Sequence, residues 1–62
     1  MLTRQEMIAV IDRATRTDAA GYQYSSVVKI RDELEYQWAF EDYQIRQIIF
    51  EMRNAGLLGY RT

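Results

Sequence analysis

Apolar residues in this chain of 62 recur mainly at three- and four-residue spacing, the rhythm of helices that bury one side. Met7, Ile8, Val10, Ile11 and Ala14 form the first stripe, with Gln5, Asp12, Arg13 and Arg16 off it. Thr3 with Glu6 three places on makes a capping box, and Leu2 and Met7 stand where a hydrophobic staple sits. These signals predict a helix over about 4–16. Thr17-Asp18-Ala19-Ala20-Gly21 then loses the period and ends in Gly, a helix stop or turn. Tyr22-Gln23-Tyr24 alternates aromatic and polar residues, as a short strand with one wet face does.

Ser25 or Ser26 is placed to cap a second helix, in which Val27, Ile30, Leu34 and Trp38 recur on one side. Lys29, Asp32, Glu33 and Gln37 form its solvated face. Glu41 and Asp42 put negative charge where the positive end of a third helix dipole lies, and Asp42 is the better N-cap by residue preference. Ile45, Ile48, Ile49 and Met52 share one side of that helix, and Asn54-Ala55-Gly56 ends it. Leu57 to Thr62 is too short and Gly-broken to continue as helix, so a terminal strand pairing with 22–24 satisfies both backbones.

The predicted fold is therefore mainly α: a compact three-helix domain over 1–62, with a two-stranded β ribbon joining 22–24 to 57–61. A competing layout exists, because no Gly or Pro stands between Gly21 and Gly56. Val27, Ile30, Leu34, Trp38, Glu41, Ile45, Ile48 and Met52 keep a nearly unbroken heptad rhythm. One helix over 26–55 would be about 45 Å long and would need a dimer partner to cover its stripe, giving a helical hairpin. Glu41 on the seam, beside Asp42 and the bulky Trp38-Ala39-Phe40, favours a break at 39–41.

The stretch from Ser26 to Arg61 resembles winged-helix and helix-turn-helix domains. The segment "IRQIIFEMRNAGLLGYR" is similar to their recognition helix and the step into a strand that follows it. Ile45, Ile48, Ile49 and Met52 fit its buried positions, Gly56 its cap and Leu57-Leu58 the strand start, and Tyr22 to Tyr24 fits the small strand between the first two helices. The resemblance implies a helix-turn-helix-like fold and DNA binding. Three departures run the other way: no wing is expected after Thr62, "EYQWAFED" lacks a Gly and looks a turn too long, and two carboxylates stand where phosphates would approach.

Charge sharpens that tension. Eight basic residues face nine acidic ones, a net charge of -1, whereas nucleic-acid domains are usually strongly basic. Residues 1–31 carry +2 and 32–62 carry -3, so a local basic surface survives. With no Cys and no His, the chain lacks disulfides, the usual zinc ligands, the common general base and the thiol nucleophile. Ser25 and Ser26 have no activating neighbour, the acidic residues do not match a calcium loop, and the three glycines make no phosphate cradle. The expectation is a protein without enzyme activity, cofactor, metal or small-molecule substrate. The lack of an apolar run of roughly 18 residues and of a signal-peptide layout at the start predicts a soluble, cytoplasmic protein. Small size and the resemblance suggest a bacterial or phage setting.

At about 100° per residue, the third helix turns Tyr43, Arg46, Gln47, Phe50, Arg53 and Asn54 away from its isoleucine side. Aromatic and Arg anchors of this kind carry much of the energy in protein contacts. The expected role is a small regulatory module, an adaptor or inhibitor, whose Tyr43, Arg46, Gln47, Phe50 and Arg53 meet a protein partner or a second copy in a homodimer. The alternative is a DNA-binding regulator with Arg46 and Gln47 at base edges and Arg4, Arg13, Arg16, Lys29 or Arg31 on phosphates.

Overall fold

Local chemistry sets each helix start. In the computed structural model, which describes residues 2–61, the Thr3 N–H donates to Glu6 Oε1 (2.9 Å) and the Glu6 N–H donates to Thr3 Oγ1 (3.1 Å). This reciprocal pair opens α1 (Arg4–Arg13). Ser26 caps α2 (Val27–Trp38) by accepting the Lys29 N–H at 3.3 Å. The Glu41 N–H donates to Gln44 Oε1 (2.9 Å) at the start of α3 (Asp42–Asn54).

Between α1 and α2 lies a hairpin of β1 (Thr15–Thr17) and β2 (Gln23–Ser25), and β3 (Tyr60–Arg61) follows α3. The sheet order is β1-β2-β3, both pairings antiparallel, with Arg16 opposite Tyr24 and Gln23 opposite Arg61. Asp18 builds the hairpin turn, its Oδ1 accepting the N–H groups of Ala20 and Tyr22, both at 3.0 Å. At the far end, the Leu57 N–H bonds the Met52 carbonyl and the Gly56 N–H that of Arg53, both at 3.0 Å. This is a Schellman cap, and it requires the positive φ of 72° that Gly56 supplies.

The core is one cluster. Val10, Ile11 and Ala14 of the first helical segment, Ile30 and Leu34 of α2, and Ile45, Ile48, Ile49 and Met52 of α3 are buried together, with Leu2 and Met7 at the margin. Trp38, Phe40, Leu57 and Leu58 pack half-buried against it. A lone core in a chain this short supplies about 3–5 kcal/mol, so each of these side chains matters. Among the described residues no helix is long and apolar enough to cross a membrane.

The mainly α architecture with a small ribbon agrees with the sequence pattern, while several details differ. The ribbon has three strands rather than two, and the strand expected at 22–24 is its central one, at Gln23–Ser25. The first helix stops at Arg13 rather than 16, because Thr15 and Thr17 are β-branched and their backbone pairs with β2. Val27, expected on the apolar stripe, is exposed, and Ile8 is only half-buried. Glu41 rather than Asp42 occupies the N-cap, since the Gln44 amide completes the box from that register.

The single helix over 26–55 does not form. Ala39 caps α2 with φ 54° and ψ 33°, and Phe40 and Glu41 complete a three-residue turn. The Trp38 and Phe40 rings stack across it with centroids 6.2 Å apart. An L-residue in this left-handed region costs roughly 1–2 kcal/mol, which is why Gly is usual there. Replacing the exposed Ala39 should therefore act through backbone conformation rather than lost contacts. Ala39→Gly is expected to raise stability by up to about 1 kcal/mol, net of the added unfolded-state entropy, and Ala39→Val to lower it by about 1 kcal/mol or more. Urea denaturation of the two variants reads the sign of each effect.

Candidate functional site

The inner face of α3 is fixed by burial: Ile45 is 3%, Ile48 0%, Ile49 6% and Met52 0% exposed. Anchoring those four side chains points the opposite face at solvent, and no other element of the described chain covers it. Tyr43 is 62% and Phe50 59% exposed there. Arg46, Gln47, Arg53 and Asn54 are exposed around them. The five residues expected from sequence to meet a partner thus lie together on one helix face, with Phe50 near its middle.

Electrostatics divides that face into two flanks. Arg46 Nε lies 3.2 Å from Asp42 Oδ2, four residues earlier in α3. Asp42 Oδ1 also accepts from Arg31 Nη2, so one carboxylate ties α2 to α3 at their joint. Arg53 forms no ion pair among the described residues. On the other flank Gln44 and Glu51 are half-buried, and Glu51 likewise has no ion pair.

Of the remaining cations named for phosphate contact, all but Arg4 are engaged within the molecule. Arg13 Nε lies 3.4 Å from Glu33 Oε1 and its Nη2 donates to Gln37 Oε1 at 3.4 Å. Lys29 Nζ is 3.9 Å from the same Glu33 oxygen. Arg16 Nη1 donates to the carbonyls of Arg13 (3.2 Å) and Thr15 (3.0 Å). Of the two i,i+4 pairings the α2 sequence offers, Lys29 with Glu33 forms, whereas Arg31 reaches across to Asp42 in place of Glu35. Arg4 is exposed and makes no ion pair among the described residues. These pairs lie at the surface, with Glu33 alone largely covered, and surface pairs are worth about 1 kcal/mol or less each. Their bearing is on availability: a guanidinium already holding a carboxylate meets a phosphate with part of its charge neutralised and fewer free N–H donors.

Among the described residues no group of three or more His, Cys, Asp or Glu side chains is arranged to hold a metal ion. A shallow cleft at the α2–α3 joint is lined by Arg31, Asp32, Glu35, Phe40, Glu41, Asp42 and Ile45, and its single cation is the one already bound to Asp42. Sequence reasoning missed the role of Asp42 as a bridge, because a pairing eleven residues apart leaves no periodic trace. The chain matches no family model, no curated protein and no solved structure.

The two faces of α3 should respond very unequally to substitution. Phe50→Asp is expected to change stability by no more than about 0.5 kcal/mol, and Ile48→Ala to cost about 2–5 kcal/mol. Urea denaturation at low protein concentration, followed by circular dichroism, makes the comparison.

Proposed function

We propose that this chain is a small, non-enzymatic regulatory interaction module, an adaptor or inhibitor, which docks a protein partner or its own copy on the outer face of α3. The observation that carries this reading is the exposure of Tyr43 and Phe50 seven residues apart on a helix whose other side is locked in the core. Large aromatics half exposed on a rigid helix lose little conformational entropy on docking and shed apolar surface from water. Arg46, Gln47 and Arg53 around them supply the polar rim that such interfaces carry. The proposed setting is the cytoplasm.

A second reading keeps the same helix and changes the target to duplex DNA. Exposed Gln47 and Arg53, which forms no ion pair among the described residues, favour it, as does the short α2–α3 turn, which answers the sequence expectation of an overlong connection. Against it stand the net charge of -1 and the engagement of Arg13, Lys29, Arg31 and Arg46 with carboxylates. Protein contact is the better supported of the two.

Two measurements separate them. Phe50→Asp should retain the helical circular dichroism of the parent and lose capture of a protein partner or self-association. Titration against random duplex DNA from low to moderate salt should show no measurable binding. A log-log slope near -0.9 for each phosphate contact would instead favour the second reading.

A further inference from the structure

The outer face of α3 has an internal order that selects its occupant. Tyr43, Gln47, Phe50 and Asn54 are spaced four, three and four residues apart, so they fall within one narrow stripe, alternating between the a and d positions of a heptad. Tyr43 and Phe50 take d, and Gln47 and Asn54 take a. In this register Arg46 and Arg53 are the g positions and Gln44 and Glu51 the e positions, which flank the stripe on opposite sides. One flank is cationic, and the other holds a carboxylate, Glu51, that forms no ion pair among the described residues.

Taking the contact-face reading as its premise, we infer that the occupant of this face is a second copy of the same chain, with the two α3 helices parallel about a two-fold axis along their length. Two observations select that arrangement. In a parallel pair the g position of one helix meets the e position five residues on in the other, so Arg46 meets the partner copy's Glu51, and the symmetry makes the pair twice. Arg46 holds Asp42 through Nε, which leaves guanidinium N–H groups for a second carboxylate. An antiparallel pair joins g to g and sets Arg46 against Arg53, like charge on like.

Layer chemistry gives the same answer. A parallel pair stacks each position on its own copy: Phe50 on Phe50, Tyr43 on Tyr43, and the amides of Gln47 and Asn54 each on an identical amide that both donates and accepts. A polar Asn at an a position is a known determinant of register in two-stranded parallel coils. The antiparallel pair would press Gln47 onto Phe50 and Asn54 onto Tyr43, burying amides without partners. A face of 13 residues spans about 20 Å, too short for a free coiled coil. Here both helices are already folded on their own cores, and the entropy of forming them is not charged to association.

Sedimentation equilibrium over a concentration series reaching roughly 1 mM is the test, since weaker association lies below the useful range. The parent chain should pass from monomer to dimer. Arg46→Glu and Glu51→Arg should each weaken the dimer roughly tenfold, by turning two attractions into two repulsions. An equimolar mixture of those two variants restores both attractions and should recover the parental affinity, and circular dichroism checks that each is folded. Independently, Phe50→Cys, in a chain that otherwise lacks cysteine, should oxidise to a cross-linked dimer, while Val28→Cys on the exposed side of α2 should not. A parent that stays monomeric overturns the inference, as does a dimer indifferent to the swaps, a mixture without rescue, or a Phe50→Cys chain that cross-links no faster than Val28→Cys. A monomer that still binds another protein in a Phe50-dependent manner would sink the second copy and leave the contact-face reading standing.

Discussion

The fold turns on a single backbone conformation. Ala39 holds a left-handed φ of 54° between two helices whose apolar positions would otherwise run on as one stripe. While it does so, Ile30 and Leu34 face Ile45, Ile48 and Met52 across a closed angle, and the chain has an interior. Released, the same residues would line a rod with nothing to enclose. The strain is offset by what surrounds the turn: the Trp38–Phe40 stack on one side and the Arg31–Asp42 pair on the other join the residues flanking the bend. Neither is strong alone. Both are made only in the bent form, so they discriminate between the two layouts more than their size suggests.

From that angle follows the division of labour on α3. Locking four side chains of one face into the core fixes the rotation of the helix about its axis, so the opposite face is presented in one orientation rather than as an average. Preorganisation of this sort lowers the cost of docking. The same geometry sets the electrostatics: bending the chain at 39–41 brings Asp42 within reach of Arg31, and Asp42 in turn holds Arg46. A carboxylate that looked from the sequence like an obstacle to phosphate binding is also a clasp between helices.

What the sequence made legible was whatever local chemistry encodes. Thr3 with Glu6, Ser26 as a cap and Gly56 past the end of α3 each declare themselves by residue type and spacing. The outer face of α3 was equally readable, because 3.6 residues per turn place Phe50 beside Tyr43 whatever else the chain does. Whether another element would cover that face was not readable, since this depends on the angle at Ala39, and an alanine in a glycine's conformation carries no mark. β1 escaped for a related reason. Thr15-Arg16-Thr17 fits a helix as well as a strand by pattern, and its strand character comes from pairing with residues six to ten positions away. The N-cap of α3 shifted by one residue because Gln44, whose amide completes the box at Glu41, outweighed the better intrinsic preference of Asp42.

The posture of Arg16 bears on how the sheet behaves in company. β1 is an outer strand of three residues, and the Arg16 guanidinium folds back to bond the carbonyls of Arg13 and Thr15 on that margin. Any foreign strand seeking to add itself alongside would first have to dislodge a charged group and then find very few amides to zip onto. Sideways growth of the ribbon into fibrils is thereby discouraged at the margin, and the helical surface is left as the easier route for encounter.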